Sequence, residues 1–217
     1  MVFSPSSLIL TNYYRPLSEA LSLQGEDVSN SVNPTFQWNE FFWEADVNLP
    51  DWSGFQERNG PYGAISSDEP SNGNIKLVFA PEGRGEEALT SAEMELINWF
   101  ISNQSQVIES ITNTLFSNYS AIKDSCIEEC GEEMAEYFPE VKDVSDIKNV
   151  VGIVSVNIHQ VSKDNIPYIG VEMGCNWEEE HGIGFLLHGN KIVEAGGADT
   201  AILLWMAEKH ANEFAPG

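Results

Sequence analysis

The feature that most constrains the fold is an apolar stripe that follows residue 90. Thr90-Ser91-Ala92-Glu93 is a capping box, in which the Thr90 hydroxyl accepts from the Glu93 amide and the Glu93 carboxylate accepts from the Thr90 amide. This arrangement predicts one long amphipathic helix, or two helices broken near Asn103, within residues 90–122. Aliphatic residues recur there at spacings of three, four and seven, at Ile97, Ile101, Ile108, Ile111, Leu115 and Ile122.

Residues 150–195 change to the period of two that is typical of strands. Val154, Val156 and Ile158 alternate with polar residues, and short turn sequences separate the apolar runs. Strands with such short links predict an antiparallel meander. Its four predicted strands are residues 150–161, 167–175, 184–188 and 191–194.

The meander is predicted to end at Gly196-Gly197. Residues 198–211 then read as a closing helix. Its apolar side is expected to include Ile202, Leu203 and Trp205.

The N-terminal part, residues 1–80, is predicted to be β-rich. Partial alternation of aromatic and polar residues favours a strand pair within 35–49, and an apolar run favours a strand at 75–79. The turn residues between them predict a long loop over 56–74, with mobility around 66–74.

These elements predict a single α+β domain over residues 1–217. Its antiparallel sheet would combine the C-terminal four-stranded meander with the N-terminal strands and pack against one or two long helices. A chain of 217 residues with 42% hydrophobic content is long enough for one sizeable core.

The charge of the chain limits its partners. Thirty-four acidic and ten basic residues give a formal net charge of -24 at pH 7, which repels nucleic acids and anionic membrane surfaces. Such a surface suits a basic protein partner, although solubility alone also explains it. With three cysteines, no signal-peptide pattern and no membrane-length apolar run, a cytoplasmic location is expected.

The segment 123–146 is the most acidic part of the chain, with nine acidic and two basic residues. Cys126 and Cys130 lie one helical turn apart, but a metal site would need further ligands. We therefore expect a solvated acidic helix or connector with half-buried thiols. Ser145 is expected to cap a short turn before the next strand.

Chemically capable side chains concentrate in Gly174-Cys175-Asn176-Trp177-Glu178-Glu179-Glu180-His181-Gly182-Ile183-Gly184, between two predicted strands. With Gly196-Gly197-Ala198-Asp199, this segment resembles a bacterial domain family of unknown function, marked by Trp-Asp-x-Glu-His-Gly ahead of a Gly-x-Ala-Asp element. Glu178 replaces the usual Asp, whereas Trp177, Glu180, His181 and Gly182 match. The resemblance covers residues 86–199 and implies a fold but no established activity. Relatives near toxin systems would imply an immunity role.

Three interpretations of this segment remain open. In the first, Trp177 plugs the edge of the core, Gly182 and Gly184 bend the chain, and a carboxylate holds both backbone amides and His181 in a fixed turn. In the second, the same turn carries a binding surface. The third interpretation is an active site. Because Glu180 and His181 would point to opposite faces of an extended strand, such a site would need residues from other strands. It is a metal-assisted hydrolase site formed by His181, Glu180, His188 and His159.

No phosphate-binding glycine loop, nucleophile elbow or cofactor motif occurs in the chain. The leading hypothesis is therefore a non-enzymatic protein-binding module without a cofactor, including an immunity-type protein that neutralises a basic partner. The metal-assisted hydrolase is the alternative, and a scaffold or storage-type protein with no discrete site is a third possibility. The oligomeric state stays open.

Overall fold

The computed structural model describes residues 34–178 and 180–213. They form an α+β fold with a seven-stranded sheet of order β1-β2-β5-β6-β7-β8-β9 and a separate β3-β4 hairpin. The strands are β1 Gln37–Trp38, β2 Trp43–Asn48, β3 Gln56–Asn59, β4 Ile65–Pro70, β5 Asn74–Phe79, β6 Val151–Lys163, β7 Ile166–Cys175, β8 Ile183–His188 and β9 Lys191–Gly196. The two helices are α1 Ser91–Cys130 and α2 Leu204–Glu213.

The long helix α1 begins at the predicted capping box. The Thr90 hydroxyl accepts from the Glu93 amide at 3.3 Å, and Glu93 accepts from the Thr90 amide at 2.7 Å. The helix does not break at Asn103, whose side-chain amide donates to the Trp99 carbonyl one turn earlier. It also continues past residue 122 to Cys130 and is followed by the capping residue Gly131, where φ is 109°.

The predicted meander is confirmed in β6 to β9, which pair as consecutive antiparallel neighbours. The N-terminal strand pair is also present, as β1 and β2. One pairing was not predicted: β5 and β6 are parallel. The reason is that α1 connects them, and a parallel pair needs a long crossover connection of this kind.

Helix α1 covers one face of the sheet, which we call the helix face. Aliphatic and aromatic side chains from six strands point to it, and together with the buried face of α1 they form the main core. The periodic residues of α1 are buried as predicted, except that Ile101 is only partly buried. The helix-face core includes Val47, Leu77, Val156, Val171 and Phe185.

The opposite face of the sheet, which we call the second face, is covered by irregular segments that approach its backbone closely. A Cβ atom on Gly152 would lie 2.5 Å from the Gln56 carbonyl oxygen, and one on Gly184 would lie 2.6 Å from that of Gly197. Glycine is needed at these strand positions because a side chain would push the covering segments away. Helix α2 covers the rest of this face, against Tyr168 and other residues.

Two predictions for the N-terminal part need correction. Residues 56–74 are not a long loop, because they contain the β3-β4 hairpin, and the segment expected to be mobile contributes β4. Tertiary contacts stabilise this hairpin, since β3 packs on β6. Residues 1–33 lie outside the described residues, so the β-rich prediction for 1–80 is met only in part.

The closing segment also differs from its prediction. A short 3-10 helix, Ala198–Ala201, precedes α2, and the residues buried in α2 are Leu204 and Ala207. Ile202 and Trp205 are about half exposed. Neither described helix has the length and apolar content needed to cross a membrane.

The short turn before β6 is capped differently from the prediction. Asp143, and not Ser145, is the capping residue, because its carboxylate accepts from the Ser145 amide at 2.8 Å. Asp146 accepts in return from the Asp143 amide at 3.2 Å. The acidic segment therefore continues α1 and ends in two 3-10 helices.

Replacement of Gly170 by alanine tests the close approach on the second face. The added Cβ would overlap the carbonyl oxygen of Ala201, so the 3-10 helix Ala198–Ala201 would have to move off the sheet. We expect Gly170→Ala to lower the free energy of unfolding by about 2–3 kcal/mol, as for other overpacked cores. Urea unfolding measures this.

Gly197→Ala is the matched control, because its Cβ would meet only the movable carboxylate of Asp199, at 3.2 Å. Its unfolding free energy should change by no more than about 0.5 kcal/mol. Equal stability of the two variants would contradict the packing described for this face.

Candidate functional site

A cleft of about 570 Å³ lies where α1, the turn between β7 and β8, and the end of β9 meet. We call residues 176–182 the acidic turn; Glu179 lies outside the described residues. The volume of the cleft is within the ~300–1,000 Å³ range of ligand pockets. The acidic turn, the second half of α1 and the Gly196-Gly197-Ala198-Asp199 segment each contribute to its walls.

Trp177 anchors the acidic turn to the core. Its side chain is buried and stacks on Phe138, with ring centroids 5.1 Å apart and an interplanar angle of 18°. Tyr119 of α1 contacts the same indole edge-on at 5.8 Å. Trp177 thus occupies the position at the edge of the core that the fixed-turn interpretation assigns to it.

Glu178 and His181 define the shape of the acidic turn. Glu178 Oε1 accepts from the His181 backbone amide at 3.2 Å and lies 3.3 Å from Nδ1 of the same residue. The Gly182 amide donates to the Glu178 carbonyl at 3.0 Å, and Gly182 has a φ of 61°. A side chain at Gly182 would meet the Met173 carbonyl oxygen, because its Cβ would lie 2.5 Å away.

The sequence analysis considered Glu180 and His181 in an extended strand, and this was wrong. They lie in the turn before β8, and both are exposed. The His181 ring is near Tyr62, with a centroid distance of 6.5 Å. Asp199 is at the other side of the cleft, in the 3-10 helix that follows β9.

Arg58 donates hydrogen bonds to the start of the acidic turn. The sequence analysis did not identify this residue. Its side chain is 7% exposed and donates to the carbonyl oxygens of Gly63 and Cys175 at 2.9 and 2.7 Å. It also donates to the Asn176 side chain at 3.1 Å. Arg58 lies in the segment that was interpreted as a loop, so no local pattern indicated its burial.

The cleft carries negative charge. Four carboxylates line it, from Glu129, Glu178, Glu194 and Asp199, and none of its described lining residues is a lysine or arginine. Apolar side chains form the remaining walls, chiefly on the side of α1. The arrangement is suited to a cationic group attached to an apolar body.

The thiols of Cys126 and Cys130 line the cleft, and Cys175 lies nearby. Burial raises the pKa of Cys126 to about 11, with a further contribution from the neighbouring Cys130, Glu129 and Glu178. Cys130 is exposed, whereas Cys175 is fully buried beneath the turn and its pKa is raised by burial to about 12. Because the thiolate is the reactive species, neither Cys126 nor Cys175 is an activated nucleophile.

The histidines of the predicted metal site are held by different partners. His159 is buried and its Nε2 lies 3.1 Å from the Ala201 carbonyl oxygen; burial lowers its pKa to about 4. His188 stacks on Tyr168, and its Nε2 lies 3.1 Å from the Lys163 carbonyl oxygen. His181 lies in the turn before β8, whereas His188 is the last residue of that strand.

The set His181, Glu180, His188 and His159 is therefore not brought together. Among residues 34–178 and 180–213, no group of three or more His, Cys, Asp or Glu side chains is arranged to hold a metal ion. The structure gives the metal-assisted hydrolase no support. The acidic turn and Asp199, by contrast, line the same cleft.

The family described as a domain of unknown function, DUF6985, matches residues 43–203. The chain belongs to this family. No curated protein and no solved structure matches the chain. The DUF6985 match begins well before residue 86, where the resemblance noted above began, so the β3-β4 hairpin with Arg58 is part of the family domain. All the described residues that line the cleft, except Met206, lie within the matched span.

Arg58→Lys tests whether the buried guanidinium holds the acidic turn. A lysine cannot donate in the forked geometry that reaches Gly63, Cys175 and Asn176 together, so buried acceptors would lose their donors. We expect a loss of about 2 kcal/mol in the free energy of unfolding. The ion pair of Arg84 with Glu93, whose side chains are 20% and 14% exposed, provides the control. A lysine ammonium can still reach this single carboxylate, so Arg84→Lys should cost less than Arg58→Lys, about 1 kcal/mol.

Thiol alkylation tests the burial at the cleft. In native protein at mildly alkaline pH, iodoacetamide should modify exposed Cys130 first, Cys126 slowly, and Cys175 only after unfolding, because the raised pKa values leave few thiolates at the last two. Peptide mass spectrometry follows each site. Cys126 labelled as fast as Cys130 would contradict the burial, and Cys130→Ser shows whether the slow reaction is independent of its neighbour.

Proposed function

We propose that the protein is a non-enzymatic binding module that takes a basic protein partner at its acidic cleft. A fixed turn on a rigid sheet presents the cleft, which is the common arrangement of recognition loops. Under this proposal the fixed-turn and the binding-surface interpretations of the motif are compatible, because the hydrogen bonds that shape the turn would also present the binding surface.

The observation that carries the proposal is the continuity of negative charge from the cleft to the end of α1. The cleft carboxylate Glu129 belongs to a run of exposed acidic residues on α1 and the segment after it. Within residues 124–143 of the described chain, Lys142 with Glu140 is the one salt bridge, at 3.3 Å between two exposed side chains. The exposed acidic residues are Asp124, Glu128, Glu129, Glu132, Glu133, Glu136, Glu140 and Asp143.

Concentrated charge of one sign attracts a partner of the other sign. Such complementarity mainly speeds the encounter and selects against wrong partners, and salt weakens it. Exposed aromatic residues beside the charge supply contact area, as at many interfaces. Tyr62, 40% exposed, lines the cleft, and Tyr137, 42% exposed, follows the acidic end of α1.

An immunity-type role is one function of this kind. In that role the cleft would cover a basic surface of a toxin and neutralise it. The same chemistry fits other basic partners, so the proposal concerns the class of partner and not its name.

Selection of a displayed library of random peptides on the immobilised protein tests the proposal. At low ionic strength we expect enrichment of lysine and arginine, and release of the bound peptides by salt. The cleft variant Glu129→Gln/Glu194→Gln/Asp199→Asn should bind a selected peptide about tenfold more weakly. Fluorescence anisotropy of the labelled peptide gives the dissociation constants.

The matched control is Asp46→Asn/Glu57→Gln/Asp68→Asn, which removes the same number of charges at exposed positions of β2, β3 and β4. It should leave the affinity close to that of the unmodified protein. If both variants weakened peptide binding equally, the effect would come from net charge and not from the cleft. If the selected peptides were not enriched in lysine and arginine, the proposal would be wrong.

A further inference from the structure

The cleft surrounds the free edge of the sheet. Strand β9 is the last strand of the seven-stranded order and pairs only with β8 among the described strands. Glu194, Ala195, Gly196 and Gly197, at the end of this strand, are consecutive lining residues of the cleft. An outer strand edge carries backbone amide and carbonyl groups that can pair with another extended chain.

The two halves of β9 differ in how well this edge is protected. The register skips Val193, because Glu194 pairs with Leu186 while Ile192 pairs with Leu187. Bulges and lysines are devices that hinder pairing at an edge, and the first half of β9 has both, with Lys191 at its start. The second half, from Glu194, pairs regularly with β8 and lies inside the cleft.

The walls on the two sides of this edge differ in chemistry. On the helix face the walls come from α1 and are mainly apolar, with Leu115, Ile122 and Cys126 beside Phe185 and Ala195 of the sheet; Glu129 is the one carboxylate that α1 adds. On the second face they come from Glu194, Asp199, Thr200 and Met206, so two carboxylates lie there.

We propose that an extended segment of the basic partner adds to the outer edge of β9 as a further strand. Side chains of a strand alternate between its two faces, so the segment must alternate as well. Apolar side chains would point toward α1 and lysine or arginine side chains toward Glu194 and Asp199. This inference rests on the proposed function and specifies the conformation and the sequence pattern of its partner.

A second copy of the protein fits this edge poorly. Two copies each carry a formal net charge of -24, and pairing of two β9 strands would bring the carboxylates of both clefts together. A basic segment meets attraction at the same place. Charge therefore favours a different chain of opposite sign.

The test uses a labelled peptide of alternating valine and lysine as the probe, with binding followed by fluorescence anisotropy. A peptide of the same composition, with its lysines in one block and its valines in another, should bind about tenfold more weakly because it cannot match both walls. The cleft variant described above should weaken the alternating peptide by a similar factor.

Two N-methylated forms of the alternating peptide report the backbone pairing. One form carries methyl groups on the valine amides and the other on the lysine amides, and only one of the two sets faces β9 in an added strand. We expect one form to lose affinity by roughly tenfold or more, since several backbone hydrogen bonds are lost, and the other to bind nearly as the parent peptide.

The outcomes separate the two proposals. If both N-methylated forms and the block peptide bind as well as the parent, strand addition is wrong, although salt-sensitive binding that the cleft variant weakens would still support the basic-partner function. Absence of binding by the alternating peptide, when selected basic peptides do bind, also overturns strand addition. So does sedimentation of the protein alone as a dimer that the peptide does not dissociate.

Discussion

Close backbone contact across the second face of the sheet is the constraint on which the site depends. Gly174 lets the Gly63 carbonyl lie on the sheet, and this places Arg58 under the acidic turn and Tyr62 at its side. Gly184 does the same for Gly197 and the 3-10 helix that carries Asp199. Because side chains would separate these layers, the glycines in the strands determine where both walls of the cleft stand.

Three sets of contacts hold the described residues of the acidic turn. Trp177 packs into the aromatic cluster at the end of α1, Arg58 donates to the backbone beneath, and Glu178 satisfies the His181 amide within the turn. A carboxylate used in this way costs little, because its hydrogen bonds compensate for the partial loss of water. Glu129, Glu194 and Asp199, the other carboxylates of the cleft, are exposed.

Local signals in the sequence predicted the main layers of the fold but not the support of the site. The capping box at Thr90 and the alternation from Val154 to Ile158 depend on neighbouring residues, so helix α1 and the meander could be predicted. The burial of Arg58 depends on Cys175, more than a hundred positions away, and no local pattern records such a contact. The exposure of Trp205 was missed for another reason. A 3-10 helix precedes α2, so α2 begins only at Leu204 and turns other residues than predicted toward the core.

An open strand edge beside an apolar wall is a hazard for aggregation, and this protein manages it by charge. A bulge and Lys191 guard one half of β9, while Glu194 and Asp199 place carboxylates at the other half. Carboxylates repel further copies of an acidic chain but attract a basic one, so under the proposed function the residues that oppose self-pairing would also select the partner. The composition alone offered solubility and recognition as alternative reasons for the acidic surface. Under the proposed function, the carboxylates at the edge of β9 would serve both.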